Sequence, residues 1–242
     1  MILNTWEDKH TVHSYQADAE GRAYTGVIVH YMQESAWRHA EHLGFGYNDL
    51  LNASQYWVLS RICFRIHSYP RWGDNITVET WPSGMEGLFA MRDFKIWDAN
   101  RKLIVEASSA WLILDVNTHR PSRTTPFNDQ LELRTDRALE RSPSKIILPE
   151  NMAGVGELNV YESDIDVLKH VNNVRYLTWA LDRLPEQYIK AGVSFAELNF
   201  MSESHSGDII EVQRGEKDSA FVFSMVKNKD RETCRCAIIP AG

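Results

Sequence analysis

The sequence predicts an α+β fold in which one unit, a long helix wrapped by an antiparallel β-sheet, occurs twice in tandem. Three observations carry this. Two isolated stretches have helical spacing, runs rich in β-branched and aromatic residues follow each, and turn chemistry recurs at matching places.

The elements follow in order. Residues 10–17 (HTVHSYQA) alternate as a strand does, and 30–43 place Met32, Ala36, Ala40 and Leu43 on one helical stripe before Gly44. Strands then fit 56–66, 76–81, 88–97 and 103–115, with hairpin residues Asp98-Ala99-Asn100-Arg101 between the last two. The second half repeats this order. A strand near 155–162 precedes a helix at 172–184 with Val174, Leu177, Leu181 and Leu184 on one stripe, and strands fit 193–201, 209–214, 219–227 and 232–239. Gly73-Asp74 before ITVET parallels Gly207-Asp208 before IIEV, and Asn228-Lys229-Asp230-Arg231 parallels the first hairpin turn. The domains read as 1–118, a proline-bearing polar connector at 119–150 with helix near 129–140, and 151–242. A long helix wrapped by an antiparallel sheet is the hot-dog arrangement, so the chain reads as a double hot-dog.

Composition narrows the function. The chain has 242 residues, 43% hydrophobic and 24% charged, which suits a globular protein. With 26 basic and 33 acidic residues the formal charge is -7, and no dense Lys/Arg block marks a nucleic-acid partner. No apolar run approaches the ~20 residues of a membrane span. The N-terminus turns charged at once, without a signal-peptide core. Three cysteines (Cys63, Cys234, Cys236) without zinc-finger spacing read as reduced thiols, and the expected location is cytoplasmic. No cofactor and no metal is expected.

The densest polar cluster runs from Asp164 to Asn173 (DIDVLKHVNN), between a strand and an amphipathic helix. Asn172 or Asn173 can cap that helix, and Asp166 suits a helix start. Asp166 and His170 nevertheless share one short turn at a helix N-terminus, where free N–H groups can meet a carbonyl oxygen. Carboxylate, imidazole and oxyanion site together suit acyl transfer to water.

The run DIDVLKHVNNVRYLTWALD resembles the acyl-ACP thioesterase signature D-x-D-x-N-x-H-V-N-N-x-x-Y-x-x-W, matching at Asp164, Asp166, His170, Val171, Asn172, Asn173, Tyr176 and Trp179. The first half is similar to the family's N-terminal hot dog in HYMQESAWRHAEHLG and RWGDNITVETWP. The resemblance implies hydrolysis of fatty acyl thioesters, with acyl carrier protein as the substrate's carrier. It implies a catalytic set of Asp166, His170 and Glu203, with substrate contacts from Asn172 and Asn173. It also implies an acyl tunnel shaped by the first half, with Met32, Ala36, Trp57, Leu59 and Met85 as candidates. The family's Asn falls at Leu168, which cannot donate a side-chain hydrogen bond. The Cys that often follows the Glu is Ser204 here, and Ser204 and His205 are expected on opposite faces. Because the carrier is acidic, a basic landing patch is sought in the connector, centred on Arg134 and Arg137. An acyl-CoA thioesterase and a non-catalytic acyl-thioester-binding protein stay open as alternatives, as does a homodimer.

Overall fold

A computed structural model describes residues 4–122 and 133–242. It divides into two compact units, Met1–Pro143 and Ser144–Gly242.

The first unit contains β1 (Trp6–Thr11), α1 (Thr25–His42), the short α2 (Tyr47–Asn52), β2 (Gln55–Ile66), β3 (Asn75–Glu86), β4 (Phe89–Trp97) and β5 (Leu103–Asp115). Its strands are ordered β1-β3-β4-β5-β2, all antiparallel. Helix α1 packs on β1 and β3 and buries Ile28, Val29, Met32 and Ala36; of the stripe that predicts it, Met32 and Ala36 are buried, Ala40 is half-buried and Leu43 stands at the C-cap.

The second unit contains β6 (Ala153–Asn159), α3 (Asn173–Leu181), the short α4 (Glu186–Ile189), β7 (Val193–Phe200), β8 (Ile209–Lys217), β9 (Ala220–Lys227) and β10 (Arg231–Pro240). Its strands run β6-β8-β9-β10-β7, the same permutation as in the first unit. Helix α3 packs against β10 and buries Val174, Tyr176, Leu177 and Trp179.

The repetition extends to single hydrogen bonds. Gly73 N–H donates to the Val12 carbonyl and Gly207 N–H to the Val160 carbonyl, both at 2.9 Å. Both glycines sit at φ 89°, a conformation that a Cβ disfavours. The carboxylates of Asp74 and Asp208 each accept from the N–H three residues back, Arg71 at 2.8 Å and His205 at 2.9 Å.

Several boundaries differ from expectation. The strand expected over 10–17 ends at Thr11, because Val12 N–H donates to the Asp74 carbonyl; Ser14–Gln16 then form a 3-10 turn, with the Gln16 side chain accepting from His13 N–H. Alternation continued past the last paired residue. The first helix starts at Thr25 rather than 30, through a Tyr-Thr-Gly entry that lacks apolar periodicity. The second runs 173–181 rather than 172–184, since Asn172 is its cap and Pro185 disfavours helix at the residue before it. Of the helix expected over 129–140, residues 133–140 form none and the remainder lies outside the described residues. Among the described residues, no helix is long and apolar enough to cross a membrane.

Candidate active site

The site of interest lies in the second unit, where the 3-10 turn Glu162–Asp164 leads into α3. Asp164 is buried at 3% exposure and structural in its contacts: Oδ2 accepts from Tyr161 N–H at 2.9 Å, its carbonyl accepts from Asn172 N–H at 2.9 Å, and Oδ1 lies 2.5 Å from the Arg175 guanidinium. It ties the turn to the helix.

The next turn is closed by two backbone bonds, Asp166 N–H to the His170 carbonyl and Lys169 N–H to the Asp166 carbonyl, each 2.9 Å. Lys169 takes φ 66° to complete it. Asp166 Oδ1 accepts from Leu168 N–H at 2.9 Å, and Oδ2 receives a long 3.5 Å contact from the Asn172 amide. The Leu168 N–H, which could have substituted for a missing asparagine donor, is therefore already engaged.

His170 emerges from this turn and Glu203 from the extended stretch after β7. His170 Nε2 stands 3.0 Å from Glu203 Oε2, with the side chains 32% and 43% exposed. Lys227 Nζ donates to the Glu203 carbonyl at 2.6 Å, which steadies the backbone under the carboxylate. Asp166 makes no direct hydrogen bond to either side chain among the described residues; it touches the pair only through the shared turn.

The start of α3 is satisfied in part. Asn172 caps it, its side-chain oxygen accepting from Val174 N–H at 2.9 Å, while Arg175 N–H donates to the Asn172 carbonyl. These bonds leave the Asn173 N–H and side chain without a hydrogen bond among the described residues. A helix start with one open N–H can receive developing negative charge.

His205 is the residue whose position the sequence reading underweighted. Ser204 is fully buried and His205 exposed, so the two do face opposite ways. That alternation puts His205 on the same side as Glu203. Its ring centroid lies 5.1 Å from that of His170, at 82°. The i, i+2 spacing of Glu203 and His205 was the available signal. His170, Glu203 and His205 are also the group, among the described residues, whose donor atoms could hold a metal ion.

The remaining expected residues lie in the first unit. Met32 and Ala36 are on the buried face of α1. Trp57 is half-buried, donates from Nε1 to the Phe45 carbonyl at 2.9 Å, and meets Phe45 and Trp111 edge-on. Leu59 is buried and Met85 is exposed. Arg134 pairs with Glu79 and Asp136, both at 2.6 Å, and lies 3.8 Å from the Trp81 ring centroid. Arg137 pairs with Glu86 at 3.0 Å and with buried Asp93 at 2.7 Å. Both arginines fasten the connector to its unit, so neither guanidinium is held in reserve.

The comparisons with known proteins agree with this architecture. The model of the acyl-ACP thioesterase N-terminal domain matches residues 4–128, and that of the C-terminal domain matches 150–239. The chain is 24% identical over 228 residues to oleoyl-acyl carrier protein thioesterase 1, chloroplastic, of Arabidopsis thaliana, covering 86% of this chain and 62% of that protein. It is 28% identical over 199 residues to a chloroplastic palmitoyl-acyl carrier protein thioesterase of Cuphea hookeriana, covering 74% and 47%. The chain thus spans less than two thirds of the length of these curated relatives. A crystal structure of an acyl-ACP thioesterase from Bacteroides thetaiotaomicron aligns with a TM-score of 0.90 at 28% identity, over 98% of this chain and 97% of that one. The 12:0-ACP thioesterase of Umbellularia californica shares the fold, with a TM-score of 0.80 at 19% identity and the same coverage. Matched in both halves by the family's two domain models, this tandem hot-dog chain belongs to the acyl-ACP thioesterase family.

Proposed function

We propose that the chain hydrolyses fatty acyl thioesters carried on acyl carrier protein, releasing the fatty acid and the carrier thiol. The observation that supports this most is the His170–Glu203 contact of 3.0 Å beside the start of α3. Glu203 takes a proton from water as its oxygen bonds to the thioester carbonyl carbon. The C–S bond then breaks and the proton passes to the leaving thiolate. His170, with Nε2 protonated, holds the Glu203 carboxylate in place. The Asn173 N–H and side-chain amide face the developing oxyanion. Asp166 acts as the brace of the turn and flanks the water. Met32, Ala36 and Trp57 belong, in this reading, to the wall that receives the acyl chain.

Carrier docking at Arg134 and Arg137 has to coexist with their ion pairs, so charge reversal there tests folding as well as docking. A drop in kcat/KM on acyl-ACP that vanishes at high salt, in a variant with unchanged thermal stability, would support the docking role. A drop that tracks lost stability would remove it. Cytoplasmic residence is part of the proposal; Cys63, Cys234 and Cys236 are buried and form no disulfide among the described residues, as suits a reducing compartment. Recovery of the protein in an oxidising compartment would overturn that part.

The deciding experiment incubates the chain and its Glu203→Gln variant with a series of acyl-ACP and matched acyl-CoA substrates and measures released fatty acid. Release from acyl-ACP that Glu203→Gln abolishes is the expected outcome. Preference for acyl-CoA would move the assignment to that substrate. Tight acyl-thioester binding without turnover would make the chain a binding protein, the reading that Leu168 favours.

A further inference from the structure

We propose that His170, Glu203 and His205 form a site for a borderline-soft divalent cation, best matched by zinc, and that its binding blocks the hydrolysis proposed above. The blocking half rests on that proposed reaction; the binding half does not.

One donor atom from each of the three side chains lies within 4.8 Å of the others. Tetrahedral zinc with bonds of about 2.0–2.2 Å needs donors spaced at about 3.3 Å, so the set has to contract only modestly. The groups are free to do so. His170 is partly exposed, and Glu203 and His205 are exposed. The backbone beneath them is held. Lys227 bonds the Glu203 carbonyl and leaves its carboxylate available, His205 N–H is anchored on Asp208, and the 166–170 turn is closed at both bonds. Two imidazoles and one carboxylate suit zinc, whereas magnesium and calcium prefer all-oxygen sets. Three protein ligands leave a position for water.

The block follows from shared atoms. His170 Nε2 and Glu203 Oε2 are in contact at 3.0 Å. A cation between them displaces the proton they share and occupies the carboxylate lone pairs that the water would need. Other thiol sites do not compete, since all three cysteines are buried and burial raises the thiol pKa of Cys234 and Cys236.

The test uses the untagged full chain, stripped with EDTA. Calorimetric titration with zinc should show one ion per chain, and cobalt substitution should give the visible absorption of a tetrahedral site. Turnover should fall with the same midpoint and return on adding EDTA. His205→Gln should keep the zinc-free turnover, weaken zinc binding by about a hundredfold and lose the block. Absence of stoichiometric zinc binding, or zinc binding to His205→Gln as tight as wild type, would overturn the site. Stoichiometric binding with unchanged or increased turnover would overturn the block. A zinc-free chain without any turnover would instead overturn the proposed hydrolysis, while the calorimetry and the cobalt spectrum still decide the metal site.

Discussion

The two halves build the same turn and load it differently. In the second, Asp166 N–H donates to the His170 carbonyl, and Val171 N–H to the Ser204 carbonyl. In the first, Asp18 N–H donates to the Arg22 carbonyl, and Ala23 N–H to the Pro70 carbonyl. Gly21, at φ 77°, stands where Lys169 takes φ 66°. On that shared frame His170 faces Glu203, while Arg22 pairs with Asp18 at 3.0 Å and lies over the Tyr69 ring at 5.7 Å. The frame is a property of backbone bonds; among the described residues, a His–carboxylate contact sits on this turn in the second copy and an Arg–carboxylate pair in the first. Duplication therefore supplies two scaffolds whose side chains differ, and the proposed chemistry is placed on the second.

The sharpest way to break this contrast is to remove the pair in one half and its counterpart in the other. Glu203→Gln should lower kcat by about a thousandfold, the usual scale for a lost general base, whereas Arg22→Ala should stay within about twofold. Comparable losses in both, measured on the same acyl thioester, would end the distinction.

Next in size is Asp164, which ties the turn to α3. Asp164→Ala leaves Arg175 without its buried partner and the Tyr161 N–H without its acceptor. The expected cost is about 2 kcal/mol in urea unfolding, below the value for a fully buried pair because Arg175 is 41% exposed. The first half uses the neutral Gln16 side chain at this place, accepting from His13 N–H at 2.9 Å, so Gln16→Ala should cost less, about 1 kcal/mol.

Leu168→Asn sharpens the comparison from the other side. It adds an amide donor to the 166–170 turn without disturbing the N–H bond of residue 168 to Asp166. Turnover should rise by about tenfold if the missing donor limits the reaction. An unchanged rate would show that the Asn173 amide suffices.

The smallest effect is expected in the cores. The fourth residue of β4 is Arg92 and the fourth of β9 is Phe223. Phe223 is fully buried. Arg92 is also buried, bonding His39 Nδ1 at 3.1 Å and the Thr80 hydroxyl at 3.2 Å, and burial pulls its pKa down to about 9. Among the described residues no carboxylate pairs with it, and a buried cation without one is costly, so Arg92→Met should hold or raise stability by about 1 kcal/mol. The sign has a pH consequence. The unfolded chain keeps this proton to much higher pH, so the penalty should ease as pH rises above about 9, and the gain from Arg92→Met should shrink with it. Thermal melts of both proteins at pH 7 and pH 10 measure this.

The sequence alone determined the two-fold order of elements, because helical and alternating periodicities are local and each half repeats them. It also determined the turn glycines, since Gly73 and Gly207 answer a local backbone need. From a motif resemblance it singled out Asp166, His170 and Glu203 as the set to examine. What it left open depends on distance through space. Only the tertiary structure brought Glu203 onto His170 across 33 residues of chain, left Asp166 without a direct hydrogen bond to either side chain among the described residues, and set His205 beside them. It likewise turned Arg134 and Arg137 from apparent surface charges into clasps on Glu79 and Asp93, partners about 50 residues away that no local pattern links to them. Local periodicity is written along the chain, whereas the pairing of a charge is settled by which neighbours folding delivers to it.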